Sequence, residues 1–182
     1  VNLILVALFA LILTVFPGCG KKTDKAEPRA STFIAGGKIS VGSAIEPETW
    51  NPLISELAAV QDVGRLVFAG LLLQNEKGEW QPDLALEVPT QANGGISADG
   101  LTLTYRLKQN LKWQDGQSIT AADIRFTYDF ILKNRTLVPW REGYEKIVSV
   151  NVVDSSPVVI RFVEPYPDAM YVFPYVLPGH RS

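Results

Sequence analysis

The sequence contains only one histidine and one cysteine among its 182 residues. A zinc site built from cysteine and histidine side chains needs several such ligands, so the sequence excludes one. A single cysteine also excludes a disulfide within the chain. A Ser-His-Asp triad would depend on His180, near the end of the chain, where ordering is poorest. We interpret His180 as a surface residue.

Nucleotide-binding motifs and an excess of positive charge are also missing. The sequence has neither the GxxxxGK[ST] nor the GxGxxG pattern, whose glycines let the backbone approach phosphates. Its 17 basic and 19 acidic side chains give a net charge of −2, without the basic stripe typical of nucleic-acid binding. We therefore predict no catalytic activity, no cofactor, no metal and no nucleic-acid partner.

No charged side chain occurs in the first 20 residues, so the positive start of an ordinary signal peptide is absent. The apolar run over residues 3–16 has the length of a signal-peptide core and is too short for a membrane span of about 20 residues. Gly18-Cys19 then resembles a bacterial lipobox, although Phe16-Pro17 departs from its usual pattern. We predict a lipoprotein-type signal peptide over residues 1–19 with lipidation at Cys19. The alternative is a buried thiol in a membrane anchor.

The rest of the chain divides into a short polar segment and a globular part. Residues 20–37 include Lys21–Pro28, which has no apolar periodicity and predicts a flexible, solvated tether. The whole chain is 47% apolar and 20% charged, which are globular values. Residues 38–182 are therefore predicted to form one domain with a sizeable core.

The most informative stretch of the sequence is residues 97–130. Apolar side chains occupy alternate positions over residues 101–107, a pattern that predicts a half-buried strand. Asp99-Gly100 directly before it predicts a tight turn, and Asp115-Gly116 predicts a second one. A strand flanked by tight turns is typical scaffold for a domain that contains a sheet.

A capped helix is predicted to follow. Thr120 and Asp123 have the spacing of a capping box, with Asp in place of the usual Glu or Gln. Ile119 lies where a hydrophobic staple would begin. The helix then carries an apolar stripe at helical spacing, formed by Ile124, Tyr128 and Ile131.

Other patterns predict a mixed order of helices and strands. The chain predicts strands at 38–42 and 71–73, a helix at 58–68, an irregular segment at 80–85, a hairpin of 147–153 with 158–163, and a helix at 169–175 capped by Asp168. The apolar face of the helix at 58–68 is predicted to be Val60, Val63 and Val67. Because hairpins and helices are interleaved, the fold class is predicted to be α/β with a mixed α+β order.

Several short motifs, in their order and spacing, resemble one protein family. They are Phe68-Ala69-Gly70-Leu71-Leu72, Pro82-Asp83-Leu84-Ala85, the stretch from Ser97 to Leu107, Lys112-Trp113-Gln114-Asp115-Gly116 and Ile119-Thr120-Ala121-Ala122-Asp123-Ile124. Over about Ile39 to Pro178, the chain resembles the N-terminal lobe of the extracellular solute-binding proteins of family 5, which bind oligopeptides, dipeptides or nickel for ABC importers.

The resemblance implies a two-lobed fold of the type II periplasmic-binding-protein kind, in which ligand is enclosed between the lobes. Residues 38–182 would be a partial lobe, without the second lobe and the C-terminal return of the first. The implied function is capture of a solute, most often a peptide, outside the cytoplasmic membrane and its delivery to an ABC permease. The implied location is the periplasm or cell surface, with a lipid anchor. The alternative is a truncated orphan fragment, or an interaction or sensory module without transport activity.

The resemblance also implies candidate ligand contacts. In peptide binders of the family, the stretch before the Phe-Ala-Gly-Leu motif contacts the peptide backbone, which here points to Glu56 and Ala58. The loop after the capped helix lines the cleft, which points to Trp140 and Tyr144. The alternatives are a surface carboxylate for Glu56 and core packing for Trp140.

Overall fold

Two α-helices and five strands make up the regular structure of the part of the chain that the computed structural model describes, residues 36–38, 40–152 and 156–181. In chain order they are α1 (Ala58–Val67), β1 (Leu72–Gln74), β2 (Trp80–Pro82), β3 (Thr102–Tyr105), α2 (Ala121–Lys133), β4 (Ile147–Val152) and β5 (Val158–Phe162). Single 3-10 turns cover Tyr144–Lys146, Ala169–Tyr171 and Gly179–Arg181. The predicted signal peptide, Cys19 and most of the predicted tether lie outside the described residues.

The larger sheet has three antiparallel strands in the order β3-β5-β4. Ile160 in the central strand lies opposite Leu103 on one side and Val150 on the other. These three side chains are at most 3% exposed and form one apolar row across the sheet. The alternating strand at 101–107 and the hairpin of 147–153 with 158–163 are therefore confirmed. Every second side chain is buried in β3 and β5, whereas an irregular register between Ile147 and Ser149 interrupts this period in β4.

Helix α2 buries the predicted stripe of Ile124, Tyr128 and Ile131. Each isoleucine is fully buried, which stabilises the fold by about 2 kcal/mol per side chain. The Tyr128 hydroxyl donates to the Ile147 carbonyl at 3.1 Å, so the stripe packs beside β4. At the helix start, the Thr120 backbone N–H donates to Asp123 Oδ2 at 2.8 Å, which confirms the predicted cap.

Strands β1 and β2 form a separate antiparallel hairpin. The prediction of an irregular segment at 80–85 is therefore wrong for residues 80–82. The Asn75 side chain closes the turn, since its Oδ1 accepts from the N–H groups of Lys77 and Glu79. Pro82 is tolerated at the end of β2 because a strand end does not need its missing N–H. No local period marks a strand this short, which explains the missed prediction.

Two further elements differ from the predictions. The helix predicted at 169–175 stops after one 3-10 turn, because Pro174 has no N–H and disfavours a helical residue before it. The Phe173 backbone instead has φ 64°, and the chain continues in an extended form beside Ala69–Leu71. The strand predicted at 38–42 is also wrong for residues 38 and 40–42, which belong to no strand; Ile39 lies outside the described residues.

Helix α1 has the predicted position but a different buried face. Val60 and Gly64 are its buried residues, whereas Val67 is 47% exposed. A Cβ added at Gly64 would lie 2.8 Å from Pro52 Cβ. The glycine therefore allows the helix to pack closely against the loop that precedes it.

Among the described residues, no helix has the length and apolar character needed to cross a membrane.

Candidate functional site

A cavity of about 440 Å³ lies where three parts of the chain meet. Pro52-Leu53 and α1 form one wall, the loop of residues 140–144 forms the second, and residues 166–175 form the third. Its lining side chains are Pro52, Leu53, Gln61, Arg65, Trp140, Glu142, Tyr144, Tyr166, Asp168, Tyr171, Pro174 and Tyr175. We call it the Trp140 cavity. It combines aromatic surface with side chains of both charges.

Trp140 contributes an open aromatic face to this cavity. Its side chain is 66% exposed, so the alternative of core packing is wrong. The next residue, Arg141, holds the loop of residues 140–144 in place. Its Nη1 donates to the Arg135 carbonyl at 2.9 Å, and its Nε donates to Glu145 at 3.1 Å. An exposed indole on a fixed loop offers apolar area together with one N–H donor.

Tyr144, the other aromatic residue predicted from the same loop, has a different environment. It is only 4% exposed, and its hydroxyl accepts a hydrogen bond from the buried Phe173 N–H at 2.8 Å. The two rings also meet edge to face at 5.3 Å. Burial raises the pKa of the Tyr144 phenol well above its usual range. Tyr144 therefore joins two walls of the cavity.

The Tyr144→Phe variant is expected to lower the free energy of unfolding by about 1–3 kcal/mol, because the buried Phe173 N–H would lose its acceptor. Chemical denaturation checks this. Tyr166→Phe is the matched control, since the Tyr166 hydroxyl bonds to none of the described residues. Equal losses in the two variants would contradict the assigned bond.

The side-chain amide of Gln61 holds the first wall in place through hydrogen bonds of both its nitrogen and its oxygen. Its Nε2 donates to the carbonyls of Pro52 and Ser55, at 2.8 and 2.7 Å, and its Oε1 accepts from the Tyr175 hydroxyl at 3.0 Å. One side chain thereby connects the loop before α1, the helix itself and the third wall. A cavity held in this way needs little rearrangement before a ligand enters.

The charges of the cavity are Arg65, Glu142 and Asp168. None of them forms a salt bridge within the described part of the chain. The pKa of the Tyr166 phenol is raised, first by burial and then by the nearby carboxylates of Asp168 and Glu142. Both carboxylates are therefore close enough to act on the same ring. The cavity offers a cation and two anions that are available to a ligand.

Gly143 allows the second wall to approach the third. Its φ is 87°, which L side chains rarely adopt, and an added Cβ would lie 2.7 Å from Tyr166 Cε1. The neighbouring residues Glu142 and Tyr144 are thus brought into the cavity by a conformation that requires glycine.

The structure separates the other two predicted contacts from Trp140 and Tyr144. Glu56 is exposed and lines a neighbouring cavity of about 420 Å³, together with Pro139 and Arg141. Ala58 is exposed at the first position of α1. The loop containing Pro139, Trp140 and Arg141 therefore lies between the cavity lined by Glu56 and the Trp140 cavity. In the described residues, no group of three or more His, Cys, Asp or Glu side chains is placed to hold a metal ion.

Sequence reasoning missed most residues of the Trp140 cavity. Arg65 lies on a helix whose predicted contacts are made by its apolar face, and Tyr171 and Tyr175 lie in the helix predicted at 169–175, which does not form. A usable signal was present, because three tyrosines occur within residues 166–175. Tyrosine has an apolar ring and a polar end and is typical of binding surfaces.

Comparison with known proteins identifies the family. The model of "Bacterial extracellular solute-binding proteins, family 5 Middle" matches residues 79–181. A putative ABC transporter peptide-binding protein of Brucella ovis is 32% identical over 156 residues, which are 83% of this chain and 28% of that protein. The oligopeptide-binding protein AppA of Bacillus subtilis is 28% identical over 79% of this chain and 25% of its own length.

A solved structure extends the similarity to the fold. NikZ from Campylobacter jejuni, crystallised in complex with Ni(L-His), superposes with a TM-score of 0.64 and 29% identity over 75% of this chain and 26% of that chain. The mixed α/β fold is thus part of a periplasmic-binding-protein fold, as predicted, and the chain spans about a quarter of the length of these relatives. By its family match, this chain belongs to the bacterial extracellular solute-binding proteins of family 5.

Proposed function

We propose that the chain belongs to the extracytoplasmic solute-binding component of an ABC importer and that its solute is a peptide. The Trp140 cavity is the observation that carries this proposal, because aromatic faces there adjoin one cation and two carboxylates. The names of the Brucella and Bacillus relatives support the same solute class.

A peptide matches the chemistry of this cavity. Its terminal ammonium group suits Glu142 or Asp168, and its carboxylates suit Arg65. Apolar side chains of the peptide would pack on Trp140, whose indole is already exposed. A solute with both charges and apolar groups is complementary to all of these features.

The partners and the location form part of the same proposal. The captured peptide would pass to the membrane permease of the importer. The signal peptide would be cut off before Cys19, Cys19 would be lipidated as the first residue of the mature chain, and residues 20–37 would tether the solute-binding part, residues 38–182, to the membrane. Incorporation of radiolabelled palmitate tests the anchor. Labelling that persists in the Cys19→Ser variant would contradict it.

Peptide binding is tested by isothermal titration of the full-length protein with a mixture of oligopeptides. We expect binding in the wild type and about tenfold weaker binding for Trp140→Ala, because a central aromatic contact would be lost. Trp50→Ala is the matched control, since Trp50 is similarly exposed, at 64%, but does not line the Trp140 cavity.

Two outcomes would contradict the proposal. Absence of binding to any peptide would favour a chain without transport function. An equal loss of affinity in the Trp140 and Trp50 variants would show that the Trp140 cavity is not the peptide site.

A further inference from the structure

We propose that the Trp140 cavity selects peptides that contain a lysine or arginine side chain, and that Glu142, Asp168 and the ring of Tyr166 receive the cationic end of that side chain. This inference rests on the proposed function, because it names the class of peptide that the same cavity prefers. It concerns a side chain of the peptide and not its two ends.

The basic and acidic side chains of the Trp140 cavity occupy different parts of it. Arg65 also lines a second cavity, of about 510 Å³, which lies beside β1. Glu142, Tyr166 and Asp168 line the Trp140 cavity but not this second one. The guanidinium group therefore lies at the border between the two cavities, whereas both carboxylates lie in the part that includes Tyr166. A cation bound there is set apart from Arg65.

The two carboxylates flank the ring of Tyr166. Gly143 follows Glu142 in the chain, and a Cβ added at Gly143 would lie 2.7 Å from Tyr166 Cε1 and 3.2 Å from the hydroxyl oxygen. Asp168 comes two residues after Tyr166, in a turn that is fixed by the bond from Ala169 N–H to the Tyr166 carbonyl at 3.1 Å. Both carboxylates also contribute, after burial, to the raised pKa of the Tyr166 phenol.

The ring of Tyr166 already holds one ammonium group of the protein itself. Lys146 Nζ lies 5.5 Å from the ring centroid and forms a salt bridge with Glu164. An aromatic face attracts a cation at this distance. Around this ring, one ammonium group therefore meets three carboxylates, those of Glu142, Glu164 and Asp168, so negative charge is in excess.

A peptide that carries only its terminal charges does not balance this excess. In the described part of the chain, neither Glu142 nor Asp168 forms a salt bridge, and a single terminal ammonium group can pair with only one of them. A lysine or arginine side chain of the peptide supplies the second cation. Its aliphatic part can pack on the exposed indole of Trp140 while its charged end reaches the carboxylates. The cavity is therefore complementary to a basic peptide.

The first test compares peptides that differ only in one side-chain charge. Five pentapeptides, each with lysine at one of the five positions, are titrated into the full-length protein beside counterparts with norleucine, which keeps the aliphatic part of lysine. We expect the lysine form to bind about tenfold more tightly at one position or more. The preference should remain when both peptides are acetylated at the N-terminus, because it belongs to the side chain.

The second test assigns this preference to the two carboxylates. Glu142→Gln and Asp168→Asn keep the size of each side chain and remove its charge. We expect each variant to reduce the preference for lysine to about threefold, and the double variant to bind the lysine and norleucine forms equally. Glu76→Gln is the matched control, since Glu76 is an exposed carboxylate that lines neither cavity, and it should keep the full preference.

The outcomes separate the two proposals. If the wild type binds the lysine and norleucine peptides alike and Trp140→Ala weakens both, this inference is overturned and the proposed function stands. A preference for lysine that survives in the double variant, or that N-terminal acetylation abolishes, overturns the inference as well. If the wild type binds no peptide at all, both proposals are overturned.

Discussion

Replacement of Gly70 by alanine is expected to lower the free energy of unfolding by about 3 kcal/mol. An added Cβ would lie 2.5 Å from the Pro174 carbonyl oxygen and 2.8 Å from that of Phe173. Both are backbone atoms that no rotamer change can move. The contact is close because the extended chain after Phe173 bonds to the segment around Gly70, with Leu71 N–H donating to the Phe173 carbonyl at 3.1 Å.

Chemical denaturation of the wild type and the Gly70→Ala variant measures this loss. Gly42→Ala is the matched control, because no atom lies within 4 Å of a Cβ at that position and its φ is not positive. We expect less than about 0.5 kcal/mol for the control. A Gly70→Ala variant as stable as Gly42→Ala would contradict the close packing of these two segments.

The Asp123→Ala variant is expected to lose about 2–4 kcal/mol of folding stability. The Asp123 carboxylate is buried and accepts from the Thr120 N–H at 2.8 Å and from the Gly179 N–H at 2.9 Å. Both donors would lose this acceptor. The second bond joins the start of α2 to the end of the described chain, and Thr127 Oγ1 adds another by accepting from Leu177 N–H at 2.8 Å.

Thermal and chemical unfolding check this prediction against Asp129→Ala. Asp129 is on the same helix, but its side chain is 38% exposed and pairs with Arg125. An exposed pair of this kind contributes less than about 1 kcal/mol. If Asp123→Ala is no less stable than Asp129→Ala, the Asp123 carboxylate does not hold the two segments together.

Local sequence patterns predicted the elements of the fold that are specified by residues close together in the chain. The strand at 101–107 follows from its alternation, α2 from its stripe and its cap, and the hairpin of 147–163 from β-rich runs on either side of a turn. In β3, β5 and α2, burial repeats with the period of the element itself. A single sequence records such periods directly.

Contacts between residues far apart in the chain determine the features of the fold that the sequence did not predict. Asp123 is predictable as a cap, but its bond to Gly179 joins residues 56 positions apart. Phe173 has a positive φ, and its N–H donates to the Tyr144 hydroxyl, 29 positions earlier in the chain. Neither partner is implied by the residues next to it in sequence.

The candidate site also has a part that the sequence predicted and a part that it did not. The family resemblance pointed to the loop with Trp140, and the structure places that side chain on an exposed cavity wall. Arg65 and Tyr171 join it from segments far apart in the chain, so no local pattern could group them. Tyr144 lies at the same cavity, but its buried hydroxyl accepts from the backbone of the opposite wall.

The most direct test of the central claim is photo-crosslinking of a bound peptide. An oligopeptide containing one benzoylphenylalanine is bound to the full-length protein and irradiated, and the crosslinked residues are identified by mass spectrometry. The account predicts crosslinks to the walls of the Trp140 cavity, at Trp140 or within residues 166–175, and their loss when unlabelled peptide competes. Competed crosslinks found only outside the Trp140 cavity would contradict it.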